Sequence, residues 1–232
     1  MEKGHSSSGL FIMLGLIFLG CMIPKAVNDY KGYERVVSVK GLCEREVKAD
    51  KVIWPLVVRV GGNDIGQVSA DLERKNQRIR QFLLAGGIQE SEISLSATSV
   101  SDTDTESYRQ DRVNRYIAKC VTTVCSQDIE KVRSLIARQN ELMEYGIIFN
   151  DDWENRTIYS FEGLNELKPS MIEEATRNAR EVAQKFANDS GSTLGKIKDA
   201  SQGSFSINDR DENTPWLKTV RVVTSVAYYL KK

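Results

Sequence analysis

Histidine is almost missing from this 232-residue chain: His5 is the single one, and it stands in a polar tail ahead of an apolar run. The rest of the chain therefore lacks the commonest general base and the commonest transition-metal ligand, which excludes histidine-dependent catalysis from the folded part. An excess of charge of either sign is missing too. Lys plus Arg number 32 and Asp plus Glu number 32, so the surface carries no basic footprint and nucleic acid is not an expected partner. Cysteine is sparse, at Cys21, Cys43, Cys120 and Cys125, with no C-x-x-C pair. Without histidine to complete a site, structural zinc is not expected, and no motif calls for another metal or a cofactor. Cys120 and Cys125 lie an odd number of residues apart, so one strand would point them to opposite faces and they could not bridge. They read as small, partly buried residues.

What is present begins with a 19-residue run free of charge, Ser6 to Pro24, apolar throughout from Gly9 to Ile23. As a helix it would reach roughly 28 Å, close to the hydrocarbon thickness of a bilayer. A short polar tail (1–8), a transmembrane signal anchor (9–27) and a linker (28–34) are the expected divisions. A cleaved secretory signal and a lipoprotein signal lipidated at Cys21 stay open beside the anchor. Lys25, Lys31, Arg35 and Lys40 follow the run while Lys3 alone precedes it, so charge counting by itself points against export.

Beyond the linker, Val36 to Val39 and Val52 to Val60 make two β-rich runs, read as an antiparallel pair joined by a charged turn over EREVKAD. Ile65, Val68, Leu72, Ile79, Phe82 and Leu83 then share one helical face, with Gly86 and Gly87 as the stop. Strands over 93–100 and 113–126 flank a polar loop and precede a helix over 128–145, stopped by Gly146. Strands near 146–149 and 158–161 follow, then a helix over 169–189 with Pro169 in its first turn and Gly191 at its end. Strands over 197–207 and 216–230 close the chain, the last with Val220, Val222, Thr224, Val226 and Tyr228 on one face. Strand pairs alternating with helices predict an α+β fold, a two-layer sandwich. Its sheet is mostly antiparallel, about three amphipathic helices cover one face, and an N-terminal transmembrane helix precedes it.

Each candidate for chemistry has a plainer reading. Glu44, Arg45, Glu46, Lys48, Asp50 and Lys51 alternate in sign without a nucleophile and read as a solvated hairpin, not acid–base machinery. Asp102, Asp104 and Glu106 have a calcium-loop spacing but lack its central glycine and terminal glutamate, so a hairpin loop is expected. GLNELKP and NDRDENTP read as surface loops. Trp54 beside Pro55 in an apolar strand reads as a core residue seated by a kink, with proline at an edge or bulge.

Val37, Val39 and Gly41, then Glu44, Val47, Ala49 and Asp50, then Val52 to Val60, closely resemble the V-x-V-x-G, E-x-x-V-x-A-D and second-strand opening of the SIMPL-domain family. The Ala-rich Glu173 to Ile197 and the closing VRVVTSVAYYL resemble it too, so the likeness covers about residues 35–230. It implies a bacterial envelope protein, periplasmic or tethered to the inner membrane, with some members linked to oxidative-stress protection or forming ring-like homo-oligomers. It implies no catalytic residues. The expectation is a non-enzymatic binding or assembly module occupying residues 35–232. The lipid bilayer, through the N-terminal segment, and other copies of the chain are its expected partners, and its ligand is unknown. The alternative is a redox sensor using Cys43, Cys120 or Cys125, since the family's usual residue near Cys43 is small.

Overall fold

The computed structural model describes residues 5–32, 35–105, 113–149 and 153–231; the side chains of 5–10, 25–32, 105 and 153 also fall outside the description. Two antiparallel sheets and four α-helices make up an α+β fold. The chain divides into two compact units, one of residues 1–45, 166–206 and 220–232, the other of 46–165 and 207–219.

In the second unit, β2 (Lys51–Gly62) pairs along its length with β5 (Tyr116–Ser126), from Val52↔Ser126 to Gly62↔Tyr116. Alternation decides what faces inward: Val52, Trp54, Leu56, Val58 and Val60 from β2, and Ala118, Cys120, Thr122, Val124 and Ser126 from β5, are buried. Onto them α2 (Ile65–Ala85) lays Val68, Leu72, Ile79 and Leu83. Its first turn is fixed by Asp64, whose carboxylate accepts from the Gln67 amide at 2.8 Å. Asp128 does the same for α3 (Ile129–Arg138), accepting from the Lys131 amide at 3.1 Å.

The stripe expected as one helix to Tyr145 tightens after Arg138 into a 3₁₀ helix, Gln139–Tyr145, ended by Gly146 at φ 67°. No strand follows at 147–149. The Ile147 amide donates back to the Leu142 carbonyl at 3.2 Å, closing the helix where a ladder bond was expected. The strand expected over 93–100 is likewise two, β3 (Ile93–Leu95) and β4 (Ser99–Asp102), both paired with β5. Between them Ser96 latches to Val121, its Oγ accepting the Val121 amide at 3.0 Å and so taking a backbone group's place.

The expected pairing of the first two strands is corrected. β1 (Val36–Lys48) belongs to a four-stranded sheet, order β1-β9-β7 with β8 on β9, and β2 to a five-stranded one, order β3-β5-β2-β6 with β4 on β5. A single sheet carrying three helices on one face therefore gives way to two sheets. The cause lies at the link. EREVK is strand, not turn, and the two residues after it direct their donors away from a hairpin. Ala49 donates to the Trp216 carbonyl at 2.8 Å and Asp50 to the Ser160 carbonyl at 2.9 Å. The Asp50 carboxylate also accepts the Glu162 amide at 2.8 Å and the Gly163 amide at 2.7 Å. Trp54 is in the core, 3% exposed. Pro55 faces Thr123 of β5 in an unbroken register, while β6 (Ile158–Ser160) pairs only with Lys51 to Ile53. The strand therefore has one neighbour at Pro55, and the missing amide is tolerated there without a bulge.

In the first unit, α4 (Leu164–Asp189) buries Met171, Ala175, Ala179, Ala183 and Ala187 completely, one every four residues. It starts five residues before Pro169, so GLNELKP is its opening and not a surface loop. Val39, Val226 and Tyr228 pack with the alanines. Gly41 of β1 meets the same stripe: a Cβ there would stand 1.9 Å from the Ala175 carbonyl oxygen. Asn178 ties the strand down, its Nδ2 donating to the Leu42 carbonyl at 2.8 Å. β7 is Thr193–Gln202 and β8 Ser206–Asp209. β9 (Leu217–Lys231) buries Val220, Val222, Thr224, Val226 and Tyr228 on one face, as its alternation requires. It is flanked on both sides, by β1 and by β7 with β8. Both of its edges are therefore paired.

The N-terminal segment is a helix, α1 (His5–Gly32), containing Pro24. The apolar side chains from Phe11 to Ile23 are exposed all around it. Among the described residues no helix is long and apolar enough to cross a membrane. Residues 9–10 and 25–27, the ends of the expected anchor, lie outside the described side chains.

Candidate functional site

All four cysteines are free thiols. Cys43 is buried on β1, where burial and the neighbouring Glu174 carboxylate push its thiol up from the usual range. Glu174 itself is held low by Arg45, 2.9 Å away, and by the Cys43 thiol. That environment favours the thiol over the nucleophilic thiolate. Cys120 is buried and donates to the Ser96 carbonyl at 3.4 Å. Cys125 is exposed, on the opposite face of β5 from Cys120, as the odd spacing requires. Cys21 is exposed on α1. N-ethylmaleimide applied to the native protein is expected to modify Cys125 and to leave Cys43 and Cys120 unmodified until denaturant is added. Peptide mass mapping checks this, and rapid native labelling of Cys43 would revive the sensing-thiol alternative.

The charged motifs resolve into structural pairs. Glu44 to Lys51 is no solvated hairpin: Lys51 meets Glu162 at 2.7 Å, Arg45 meets Glu174, and Asp50 clamps the amides just before α4. Asp102 and Asp104 both neutralise Arg115, at 3.3 and 3.1 Å. Glu106 lies outside the described residues. In the NDRDENTP loop, Asp211 accepts the Asn213 and Thr214 amides at 2.9 and 2.8 Å. The Thr214 hydroxyl, then Arg210, hold its carboxyl down at about 2. Among the described residues no three His, Cys, Asp or Glu side chains group to hold a metal.

What these motifs leave out is a cavity of about 340 Å³ in the second unit, between α2 and the β3 side of the sheet. Its inner wall is polar where the pattern calls for apolar. Asn76 occupies the position on α2 through which the stripe Val68, Leu72, Ile79, Leu83 passes. Thr122 occupies an inward position of β5 between Cys120 and Val124. Thr122 is 2% exposed. Its Oγ1, with Asn76 Oδ1, is buried without a hydrogen-bond partner; among the described residues Thr224 Oγ1, in the other unit, is the remaining such atom. Each unpartnered group costs about 1–3 kcal/mol; both atoms are closed off from solvent, and other atoms of the two residues line the cavity. Leu72, Ile93 and the exposed Leu95 supply apolar walls. The outer rim is charged: Arg80 meets Glu90 at 2.6 Å, and Glu73 accepts from Gln77 Nε2 at 3.4 Å.

Reading the sequence by its apolar stripe passed over both inner residues. The signal was the seven-residue gap between Leu72 and Ile79, twice the spacing at which a buried face recurs, with an asparagine in its middle. None of the cysteines lines this cavity. The family model that matches the chain is SIMPL, a protein of unknown function (DUF541), over residues 37–222. No curated protein matches it.

Proposed function

Because the chain belongs to the SIMPL (DUF541) family, we propose that it is a non-enzymatic binding module of the bacterial envelope, held at the inner membrane by α1 and binding through the α2–β3 cavity. The observation that carries the binding half is the cavity itself, on whose wall Asn76 and Thr122 stand among Leu72, Ile93 and Leu95. A concave wall that mixes aliphatic and polar side chains suits a small ligand. The tether rests on a different observation. Large apolar side chains exposed on every side of one helical segment need an apolar surrounding, and a bilayer supplies one.

Two measurements test the reading. Carbonate washing should leave the full chain in the membrane fraction and release a form lacking residues 1–27; extraction of the full chain would sink the tether. Thr122→Val and Asn76→Leu should each stabilise the full chain in urea by roughly 1 kcal/mol, because apolar replacement removes an unmet polar group. A loss of stability in both would make the pair structural and end the binding reading.

A further inference from the structure

We infer that the N-terminal half of β1 is a docking edge for an extended peptide of a partner protein, one with apolar side chains at alternate positions and an acid between them. The edge lies in the first unit, so the inference goes beyond the cavity reading and does not depend on it. Among the described residues β1 has β9 as its one neighbour, which leaves its other edge unpaired. Strand parity says which groups that edge presents. The Arg35 carbonyl accepts the Leu230 amide at 2.8 Å, so the odd-numbered residues that follow turn their backbone groups to β9. Leu42 shows the opposite parity, because its carbonyl accepts from the Asn178 side chain of α4. Burial alternates through Val39, Gly41 and Cys43 without a bulge to reset it. Val36, Ser38 and Lys40 therefore turn amides and carbonyls outward, spaced as an added strand would need them.

α4 closes the far half of this edge and builds a ledge beside the near half. Towards Lys48, Asn178 takes the Leu42 carbonyl, and Arg45 reaches Ser170 and Glu174 at 3.0 and 2.9 Å. The helix thus runs opposite to β1, and its buried stripe steps by four residues through Ala175, Ala179 and Ala183. The line beside that stripe carries on from Asn178 to Val182 and Phe186, each step about 6 Å, or roughly two strand residues. Val182 therefore stands by Lys40 and Phe186 by Ser38. Both are apolar and yet open to solvent, Val182 by 38% and Phe186 by 56%. A strand laid along Val36 to Lys40 would cover them with its inward side chains, which sets the apolar alternation of the peptide. On the other face Ser38 and Lys40 are exposed. An acidic side chain across from Lys40 supplies its counter-charge, as opposite charges do between neighbouring strands.

The test is fluorescence anisotropy of a fluorescein-labelled peptide, Gly-Thr-Val-Glu-Val-Thr-Gly, titrated with the full chain in an uncharged maltoside detergent. Saturable binding, one peptide per chain, is expected. Only alternate amides of an added strand face the edge, so N-methylation of the two valine amides and N-methylation of the glutamate and threonine amides should differ. One set abolishes binding and the other leaves it. Ser38→Pro removes an amide that β9 does not use, and proline is tolerated on an edge; it should abolish binding with the melting temperature kept. Phe186→Ser should weaken binding by about tenfold. Lys40→Glu should weaken it by about fivefold, and lysine in place of the peptide's glutamate should restore it. The proposal is overturned if the anisotropy does not saturate, if both methylated peptides bind like the parent peptide, or if Phe186→Ser and Lys40→Glu keep the parent's affinity. It is overturned as well if light scattering finds an oligomer that Ser38→Pro converts to monomer, since the edge would then belong to a second copy of the chain.

Discussion

Trp54→Ala should lower the unfolding free energy of the second unit by about 3–5 kcal/mol, the range for emptying a large aromatic site in a closed core. Trp54 is 3% exposed and belongs to the cluster that includes Val52, Leu56, Leu83 and Val124. The hole cannot be filled by a small local shift, because β2 is locked to β5 in unbroken register on both sides of Trp54. Urea unfolding followed by circular dichroism measures the loss. Trp54→Phe, which keeps a ring in the site, should recover much of it. Near-silence of the alanine variant, together with ready acrylamide quenching of indole fluorescence, would place Trp54 at a surface and favour ligand stacking instead.

Trp54 was legible in the sequence because burial of a strand residue follows from period two and from the apolar character of its neighbours, both local properties. The same holds for β9, whose inward face runs from Val220 to Tyr228 as its alternation says. Partnership between strands is not local. β1 and β2 adjoin in sequence and carry the pattern of a hairpin, yet their link is held by Ser160, Glu162, Gly163 and Trp216, more than a hundred residues away. No windowed pattern contains that information. The cavity was illegible for a different reason. A stripe is recognised by its apolar members, so a polar residue in register with it is passed over as noise. Asn76 carries meaning only because Thr122 faces the same space from another element. The family motifs show the same division. Asp50 reads as surface charge until its carboxylate is seen to anchor the amides before α4.

Gly41→Val should prevent the first unit from folding normally, a loss of at least about 3 kcal/mol, at or beyond the upper end of overpacking costs. Gly41 has no positive φ, so the backbone does not require glycine there. Space does. A Cβ would stand 1.9 Å from the Ala175 carbonyl oxygen, 2.6 Å from the Ala179 amide nitrogen and 2.8 Å from the Ala179 Cβ. Two of the three are backbone atoms inside α4, and no rotamer change moves them. Relief therefore requires β1 to lift from the helix, which uncovers the Ala179 and Ala183 stripe together with Val39 and strains the Asn178 bond to Leu42. Gly41→Ala should suffer from the same contact, since the clash begins at Cβ. Adding Ala179→Gly removes one contact of the three and leaves the carbonyl of Ala175 in place, so it should not rescue either variant. Chemical denaturation of Gly41→Ala with and without Ala179→Gly measures this. A midpoint equal to the parent's, or full rescue by the glycine on α4, would show that β1 and α4 do not meet this closely. The glycine of V-x-V-x-G and the alanines of the long helix would then need separate explanations. With the loss observed they have one: each is the small residue that lets a strand and a helix touch along their backbones.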